Sequence, residues 1–366
     1  MTPAELRRYS RHLLMPEVAL AGQEKLRSSR VLVVGAGGLG APVLAYLSAA
    51  GVGRIGIVDD DRVDLTNLQR QILFRDADIG KLKAQIAAEH VRSINPHIAI
   101  DIFAVSFDAG NARDLVRPYD LVVDCTDNFS TRYLIHDACW FERKPDVFAS
   151  IFRFDGQITV FAREISACYR CLFPEAPPSG TVPTCAEGGV LGVLPGIVGA
   201  YQANEALKLL LGIGEPLYNR LMLIDALQAR TREVRYEPDP ACQLCGSDQR
   251  LFDVSPLVQA DEDSGLQEIS ARELDTALAG ATLLDVREPH EMILGTVAGA
   301  VHLPASQLEA RLHELDSART YIVACRVGVK SRWVAQRLAD AGFERVIHLR
   351  DGLLGYAVLH DDFAIF

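Results

Sequence analysis

The chain has 366 residues, and 37 Lys and Arg against 48 Asp and Glu give it a formal net charge of −11. This acidic balance argues against a general affinity for nucleic acid or anionic membranes. No apolar run approaches the roughly 18 residues of a membrane span, and the first residues lack the apolar core of a signal peptide. We therefore expect a cytoplasmic protein with no direct nucleic-acid or membrane partner, long enough for two domains of roughly 100 to 250 residues.

The first strongly patterned stretch is RVLVVGAGGLG, residues 30–40. Its apolar, β-branched start predicts a buried parallel strand over Arg30–Val34. Four glycines then allow a tight turn and close approach of a ligand to the backbone. They are Gly35, Gly37, Gly38 and Gly40. A helix is predicted over Ala41–Ala50, and its free N–H groups favour a phosphate. The stretch indicates a nucleotide site, with a ligand-free strand-to-helix turn as the alternative.

A second apolar strand, RIGIVD, ends in Asp59, where a carboxylate can bind a ribose. The polar cluster NLQRQ follows at residues 67–71, and Lys83 begins a helical pattern. Arginine grips phosphate oxygens bidentately, and asparagine can hold a ribose or phosphate oxygen. A triphosphate would use this cluster, whereas a dinucleotide would not need it.

The following segments alternate strand and helix, which predicts a doubly wound α/β sheet. The run Leu121–Asp124 reads as a strand, and Asp127 lies just past its carboxyl end. Ligands bind at that edge of open α/β sheets, and a carboxylate there can hold Mg²⁺ against phosphate oxygens. The alternative is that Asp127 caps a helix beginning near Ser130.

Four of the eight cysteines stand as two CxxC pairs, CYRC and CQLC. A disulfide framework is not expected in a cytoplasmic chain, and two pairs of thiolates complete a tetrahedral metal site. We predict one structural Zn²⁺ that joins distant segments, with a redox CxxC as the competing interpretation. The predicted ligands are Cys168, Cys171, Cys242 and Cys245.

Eight motifs in this order resemble the ubiquitin-activating-type adenylyltransferases of bacteria, the MoeB/ThiF family. They are RYSR, GAGGLG, DDDRVDLTNLQRQ, GKLK, DCTDN, GQITVF, CYRC and CQLC, and the resemblance covers roughly residues 1–247. It implies a Rossmann-like, mostly parallel sheet and ATP-dependent adenylation of the C-terminal glycine of a small ubiquitin-like sulfur carrier protein ending in Gly-Gly.

The resemblance also implies a role for each matching residue. Asp59 would bind the ribose, and Asp127 would hold Mg²⁺. Three residues would hold the triphosphate: Asn67, Arg70 and Lys83. Arg70 and Asp127 would thereby act in catalysis, because a carboxylate attacking the α-phosphate needs charge neutralisation but no general base. Arg11 would reach into the neighbouring subunit's site, so a homodimer is expected.

Cys185 lies in the Pro- and Gly-rich segment between the two cysteine pairs. In the family this position can attack the acyl group or form an acyl disulfide. The alternative is a packed free thiol without a chemical role.

A polar stretch separates this region from a second α/β pattern. We predict an adenylyltransferase domain over residues 1–248, a linker over 249–266 and a second domain over 267–366. Asp285 and Arg287 in the second domain are expected to stabilise its fold rather than to contact substrate.

The second domain centres on a strand, a cysteine loop and a helix beginning near Ser331. Loop N–H groups, the helix dipole, Arg326 and Lys330 all favour a thiolate or persulfide anion on Cys325. The segment resembles a single-domain rhodanese, whose loop has the form CRxGxRS; Lys330 replaces the second arginine and so lacks the planar fork. A cysteine phosphatase would need arginine at position 331, where this chain has serine.

The two halves together predict adenylation of a carrier followed by delivery of sulfur from Cys325, which leaves a C-terminal thiocarboxylate. A persulfide donor such as a cysteine desulfurase would load Cys325. Two alternatives are a nicotinamide-dependent oxidoreductase, which explains GxGxxG but leaves NLQRQ and the paired cysteines without a use, and a non-catalytic scaffold that docks a carrier protein.

Overall fold

The computed structural model describes residues 1–176, 188–247, 249–254 and 266–360. These residues form two compact units, one before and one after residues 255–265. Residues 249–254, the first part of the predicted linker, are described. Leu251 packs against the paired cysteines, and Asp253 forms an ion pair with Arg113 at 3.1 Å. The domain bounds stay a prediction.

The first unit is built on an eight-stranded sheet in the order β3-β2-β1-β4-β5-β6-β7-β8. Its strands are β1 (Arg30–Val34), β2 (Arg54–Val58), β3 (Ala99–Phe103), β4 (Leu121–Asp124), β5 (Asp146–Phe152), β6 (Asp155–Phe161), β7 (Arg220–Asp225) and β8 (Arg230–Arg235). The strands from β3 to β5 run parallel, and those from β5 to β8 pair antiparallel. The strand order reverses between β1 and β4, which opens a crevice at their carboxyl ends.

Helices cover both faces of this sheet. They are α1 (Pro3–Arg8), α2 (Ser10–Leu13), α3 (Ala19–Ser28), α4 (Gly40–Ala50), α5 (Lys83–Ile94), α6 (Ala112–Val116), α7 (Phe129–Glu142), α8 (Tyr169–Leu172) and α9 (Leu194–Leu211). Val31 and Val33 of β1 pack towards α4, α5 and α9, whereas Leu32 packs towards α6 and α7. Because both faces of β1 are covered, the strand is apolar without alternation, as predicted.

The second unit contains a parallel five-stranded sheet in the order β11-β10-β12-β13-β9. Its elements are β9 (Gln267–Ile269), α10 (Leu274–Leu278), β10 (Thr282–Asp285), β11 (Val301–His302), α11 (Leu308–Arg311), β12 (Tyr321–Ala324), α12 (Val329–Asp340), β13 (Val346–Leu349) and α13 (Gly352–Ala357). The prediction of a mixed α/β fold with a second, smaller α/β unit is confirmed.

Short 3-10 turns complete the described secondary structure. They are Leu65–Asn67, Asp76–Asp78, Ala271–Glu273, Pro289–Leu294, Ala305–Gln307 and Leu312–Glu314. Among the residues that the structure describes, no helix combines the length and the apolar character needed to cross a membrane.

Candidate functional site

The glycine loop after β1 is locked against the ends of the two neighbouring strands. Gly35 has φ +95°, and a Cβ atom there would lie 2.8 Å from the carbonyl oxygen of Cys125. A Cβ atom at Gly40 would collide with the Gly35 carbonyl oxygen. Gly35 N donates to Val58 O at 2.8 Å and Cys125 N donates to Val34 O at 2.9 Å. The loop therefore presents backbone, not side chains, to the crevice.

Asp59 directly follows β2 and ties this loop to the second strand. Its Oδ2 accepts from Ala36 N at 2.8 Å, and its Oδ1 accepts from Asp61 N at 3.0 Å. Burial raises the pKa of Asp59, and the backbone hydrogen bond from Ala36 and the charge of Lys83 partly offset that effect. Each carboxylate oxygen keeps a lone pair that a ribose hydroxyl can use.

Lys83, the first residue of α5, brings a buried cation to this edge. Its side chain is 8 % exposed, and its Nζ lies 2.8 Å from Oδ2 of Asp61. A buried ammonium group beside a nucleotide-type strand end suits phosphate oxygens.

The NLQRQ cluster folds as the 3-10 turn and the residues after it. Asn67 Oδ1 accepts from Asp64 N at 3.2 Å, and Arg70 donates to Thr66 O at 3.0 Å. Gln71 is 5 % exposed, and its Oε1 is buried without a hydrogen-bond partner. The Gln71 amide lies beside Gly37 and so adds a polar group next to the glycine loop. No individual role was predicted for Gln71 from the sequence.

Asp127 lies exposed beyond the end of β4. The alternative that it caps the next helix is wrong, because Asn128 caps α7 by accepting from Thr131 N at 2.9 Å. The loop before it is held by two buried groups. Asp124 accepts from the backbone and hydroxyl of Thr126 at 2.9 and 2.6 Å, and Arg132 donates to Thr126 O at 3.1 Å.

A buried acidic pair lies beneath this loop and was not anticipated from the sequence. Burial, helped by the neighbouring Asp146, raises the pKa of Asp124 to about 7, and burial raises the pKa of Asp146 to about 8. His136 lies 3.3 Å from Asp146 and accepts from Tyr169 N at 3.1 Å, and burial lowers its pKa to about 4. Asp124 ends the apolar strand β4 and Asp146 begins the apolar strand β5. An acidic residue at the end of an apolar strand is the sequence signal that could have identified them.

The two CxxC pairs come together although they are 74 residues apart in sequence. Their four sulfur atoms all lie within 4.8 Å of one another. A tetrahedral site with Zn–S bonds of about 2.3 Å places its sulfurs about 3.8 Å apart. The observed Sγ separations are 3.7 Å for Cys168 and Cys171, 3.4 Å for Cys168 and Cys242, and 3.2 Å for Cys171 and Cys245. This four-cysteine cluster could bind zinc.

In the second unit, Cys325 follows β12 and is 1 % exposed. The backbone N–H and the hydroxyl of Ser331 each lie 3.3 Å from its Sγ. The helix expected near Ser331 begins two residues earlier, at Val329, because Gly328 adopts φ +91° and starts it. Two donors and a helix N-terminus aimed at one sulfur favour a negative charge there.

The ammonium group of Lys330 is paired with a carboxylate, since its Nζ lies 3.4 Å from Glu291. Arg287 and Asp285 form a fully buried bidentate ion pair, with contacts of 2.9 and 2.6 Å, that supports β10. Their predicted structural role agrees with this position. Arg11 lies exposed on α2, and Cys185 lies outside the described residues.

A model of the ThiF family matches residues 9–244, and a model of the rhodanese-like domain matches residues 270–358. Over 96 % of its length the chain is 42 % identical to the "Probable adenylyltransferase/sulfurtransferase MoeZ" of Mycobacterium tuberculosis, of which it covers 93 %. Over 68 % of its length it is 50 % identical to the "Sulfur carrier protein adenylyltransferase" of Thermus thermophilus, of which it covers 93 %.

Among solved structures, the crystal structure of E. coli MccB with MccA-N7isoASN matches with a TM-score of 0.58 at 22 % identity. The match covers 65 % of this chain and 74 % of that chain, and it supports the fold. The sequence relatives and the two family models agree with the resemblance drawn from the motifs. The chain therefore belongs to the ThiF family and carries a rhodanese-like domain after its ThiF region.

Proposed function

We propose that this protein uses ATP to adenylate the C-terminal glycine of a small ubiquitin-like sulfur carrier ending in Gly-Gly, and then converts the acyl-adenylate to a thiocarboxylate. The observation that carries the proposal is the buried Lys83 ammonium beside Asp59 at the glycine-loop crevice. Lys83 would supply a cation for phosphate at the crevice where Asp59 would bind the ribose and the backbone of the glycine loop would bind phosphate.

In the first step the carrier's carboxylate attacks the α-phosphorus of ATP, and pyrophosphate leaves. Asp59 would hold the ribose, while Asn67, Arg70 and Lys83 would neutralise phosphate charge as it shifts to the leaving group. Asp127, which is exposed and does not cap α7, would hold Mg²⁺, whose role is to neutralise phosphate oxygens. The backbone of Gly35, Gly37, Gly38 and Gly40 would cradle the nucleotide.

In the second step a persulfide on Cys325 attacks the carrier's carbonyl carbon, and AMP leaves. The product is an acyl disulfide between the carrier and Cys325. A thiolate then attacks the Cys325 sulfur of that bond, the thiocarboxylate leaves, and an external thiol reduces the resulting disulfide. The resemblance implies that Cys185 can attack the acyl group or form an acyl disulfide, and we propose it as the attacking thiol of this step. A cysteine desulfurase is the proposed source of the persulfide.

We further propose a cytoplasmic homodimer in which Arg11 reaches the partner's site. Support comes from the resemblance and from an open, mostly apolar groove of about 360 Å³ between α2, α4 and α9. His12, next to Arg11, lines it together with Tyr46 and Leu207. Tyr46 is 57 % exposed, which is unusual for an aromatic side chain on a helix with an otherwise buried apolar face.

ATP–pyrophosphate exchange tests the first step. One member of a panel of Gly-Gly carriers should stimulate exchange in the wild type, and D127A should abolish it, whereas D120A, an exposed aspartate at the other end of β4, should not. Tight NAD binding without ATP binding would instead favour the oxidoreductase interpretation, and carrier docking that needs no ATP would favour the scaffold.

Thiocarboxylate formation tests the second step. With a protein persulfide as the only sulfur source, C325A should form adenylate but no thiocarboxylate. Full thiocarboxylate formation by C325A would contradict the proposed route.

A further inference from the structure

His348 lies beneath the Cys325 loop and is not part of the chemistry described above. It is 3 % exposed and lies in β13, directly opposite Glu268 of β9 in the parallel register. Its Nδ1 lies 3.0 Å from Glu268 Oε1, and its Nε2 lies 2.8 Å from the carbonyl oxygen of Gly328. A carbonyl oxygen can only accept, so Nε2 carries a proton and donates to the loop.

The same carbonyl is also in reach of the hydroxyl next to the reactive sulfur. Ser331 Oγ lies 2.9 Å from Gly328 O and 3.3 Å from Cys325 Sγ. A serine hydroxyl has one proton, so it cannot donate strongly to both acceptors at once. Cys325 is 1 % exposed and Ser331 is fully buried, so water cannot readily replace a missing donor.

We propose that His348 is a positioning residue for the sulfur chemistry of Cys325: by donating to Gly328 O, it leaves the Ser331 hydroxyl proton to the Cys325 sulfur anion. The inference rests on the proposed sulfur-carrying role of Cys325. Gly328 O also accepts from Arg332 N at 3.2 Å, so the Arg332 and His348 donors together occupy its two lone pairs. Without the His348 donor, the buried carbonyl competes for the Ser331 proton, and the sulfur anion depends more on the backbone N–H of Ser331.

Among the described residues, charged groups lie at both ends of this chain: Arg326 directly follows Cys325, and Lys330 of α12 is paired with Glu291 at 3.4 Å. Glu268 of β9 faces Nδ1, and Arg332 of α12 lies 3.7 Å from the same carboxylate. Both lie at the outer end of the chain, and Cys325 lies at the inner end. The polar chain therefore runs from a half-buried carboxylate to a buried sulfur through one imidazole, one carbonyl and one hydroxyl.

Thiolate absorbance at 240 nm tests the proposal on the full-length protein. The Cys325 signal is the difference between each protein and the same protein carrying C325A. In H348L the pH at which half of Cys325 is ionised should rise by about one unit. In H348Q, whose amide can donate to Gly328 O, this pH should return most of the way to the wild-type value. H302L is the matched control, because His302 Nε2 lies 2.8 Å from a carbonyl oxygen, that of Arg287, outside the cysteine loop.

If His348 acts on Cys325 through the Ser331 hydroxyl, a second prediction follows. S331A should raise the half-ionisation pH by itself, and H348L added to S331A should raise it no further. If H348L does not fold, E268Q replaces it and should shift the value in the same direction by less. An unchanged value in H348L and E268Q, an equal shift in H302L, or additive shifts in the double variant would each overturn the proposal.

Sulfur transfer from thiosulfate to cyanide, measured in parallel, separates this inference from the proposed function. If the Cys325 titration shifts in H348L but the wild type transfers no sulfur, the positioning role of His348 is supported and the sulfur-carrying role of Cys325 is contradicted. Normal transfer with an unshifted titration would count against the positioning role of His348 alone.

Discussion

The ammonium group of Lys83 lies 2.8 Å from the carboxylate of Asp61, and the two ends of this ion pair differ sharply in exposure. The Lys83 side chain is 8 % exposed, whereas that of Asp61 is 68 % exposed. Water screens the exposed carboxylate, so the pair is weak, and an arriving phosphate can displace Asp61 from a lysine already in place.

Lys83 should therefore dominate ATP affinity. We expect K83A to weaken ATP binding by about 10- to 100-fold, which is the value of one charged hydrogen bond. D61N should strengthen ATP binding by about 2- to 5-fold, because the competing carboxylate is removed. Isothermal titration calorimetry without carrier measures both.

K81A is the matched control for this prediction. Lys81 is two residues away and also pairs with an aspartate, Asp78, at 2.9 Å, but its side chain is 52 % exposed. Its replacement should leave ATP affinity unchanged. Equal losses in K81A and K83A would mean that general surface charge, not a placed ammonium group, attracts ATP.

The buried acidic pair predicts how the stability of the first unit depends on pH. Because the native pKa values of Asp124 and Asp146 are raised to about 7 and about 8, the native state binds more protons than the unfolded state above pH 4. Stability from these groups is complete at low pH and is lost as pH rises through the native values. His136, with its pKa lowered to about 4, acts oppositely, but only between about pH 4 and 6.5.

Between pH 6.5 and 8.5 the two aspartates should lower the free energy of unfolding by about 1–3 kcal/mol, and D146N separates their share from that of the cysteine cluster, in which the hydrogen bond with Cys168 lowers the pKa of Cys242 to about 6. Urea unfolding of a W333F variant, in which Trp140 reports on the first unit, measures this change. D146N mimics the protonated form and should flatten the profile. A profile as steep in D146N as in the wild type would contradict the assignment.

Loss of either partner of the Asp285 and Arg287 pair should strongly destabilise the second unit. R287M leaves a fully buried carboxylate without its cation, and we expect a loss of about 3–5 kcal/mol. Unfolding of a W140F variant, in which Trp333 reports on this unit, provides the measurement. R311A removes an Arg–carboxylate contact of similar length, to Glu314 at 2.8 Å, at an exposed site, and should leave the unfolding midpoint nearly unchanged because water screens this pair.

The four-cysteine cluster predicts about one zinc per chain in freshly purified protein. C171S should lose most of it, because three thiolates bind zinc less tightly than four, and chelation should lower the melting temperature of the first unit. C139S is the control, since Cys139 is a buried free cysteine that lies outside the cluster. Metal analysis showing equal zinc in the two variants would contradict the site.

The elements that carry short-range patterns could be predicted from the sequence. The strand β1, the glycine turn and the end of the following helix at Ala50, after which Gly51 has φ +86°, were predicted because local backbone requirements fix their residue types. The cluster of four cysteines was predicted because CxxC spacing places two thiols on one turn. The alternative role of Asp127 as the cap of α7 was wrong, since Asp127 and Asn128 are both good caps and only the path of the loop decides between them.

The sequence by itself determined which residues are candidates for binding, because the chemistry of glycines, strand-end carboxylates and a cysteine before a helix can be recognised from local sequence. Only the tertiary structure decided how these residues are paired. His348 meets Glu268 across 80 residues, and Lys83 meets Asp61 across 22, because sheet register and helix placement bring them together. Periodicity records which side of an element is buried, but not the neighbour it meets there, and that neighbour sets the charge and hydrogen bonding of each site.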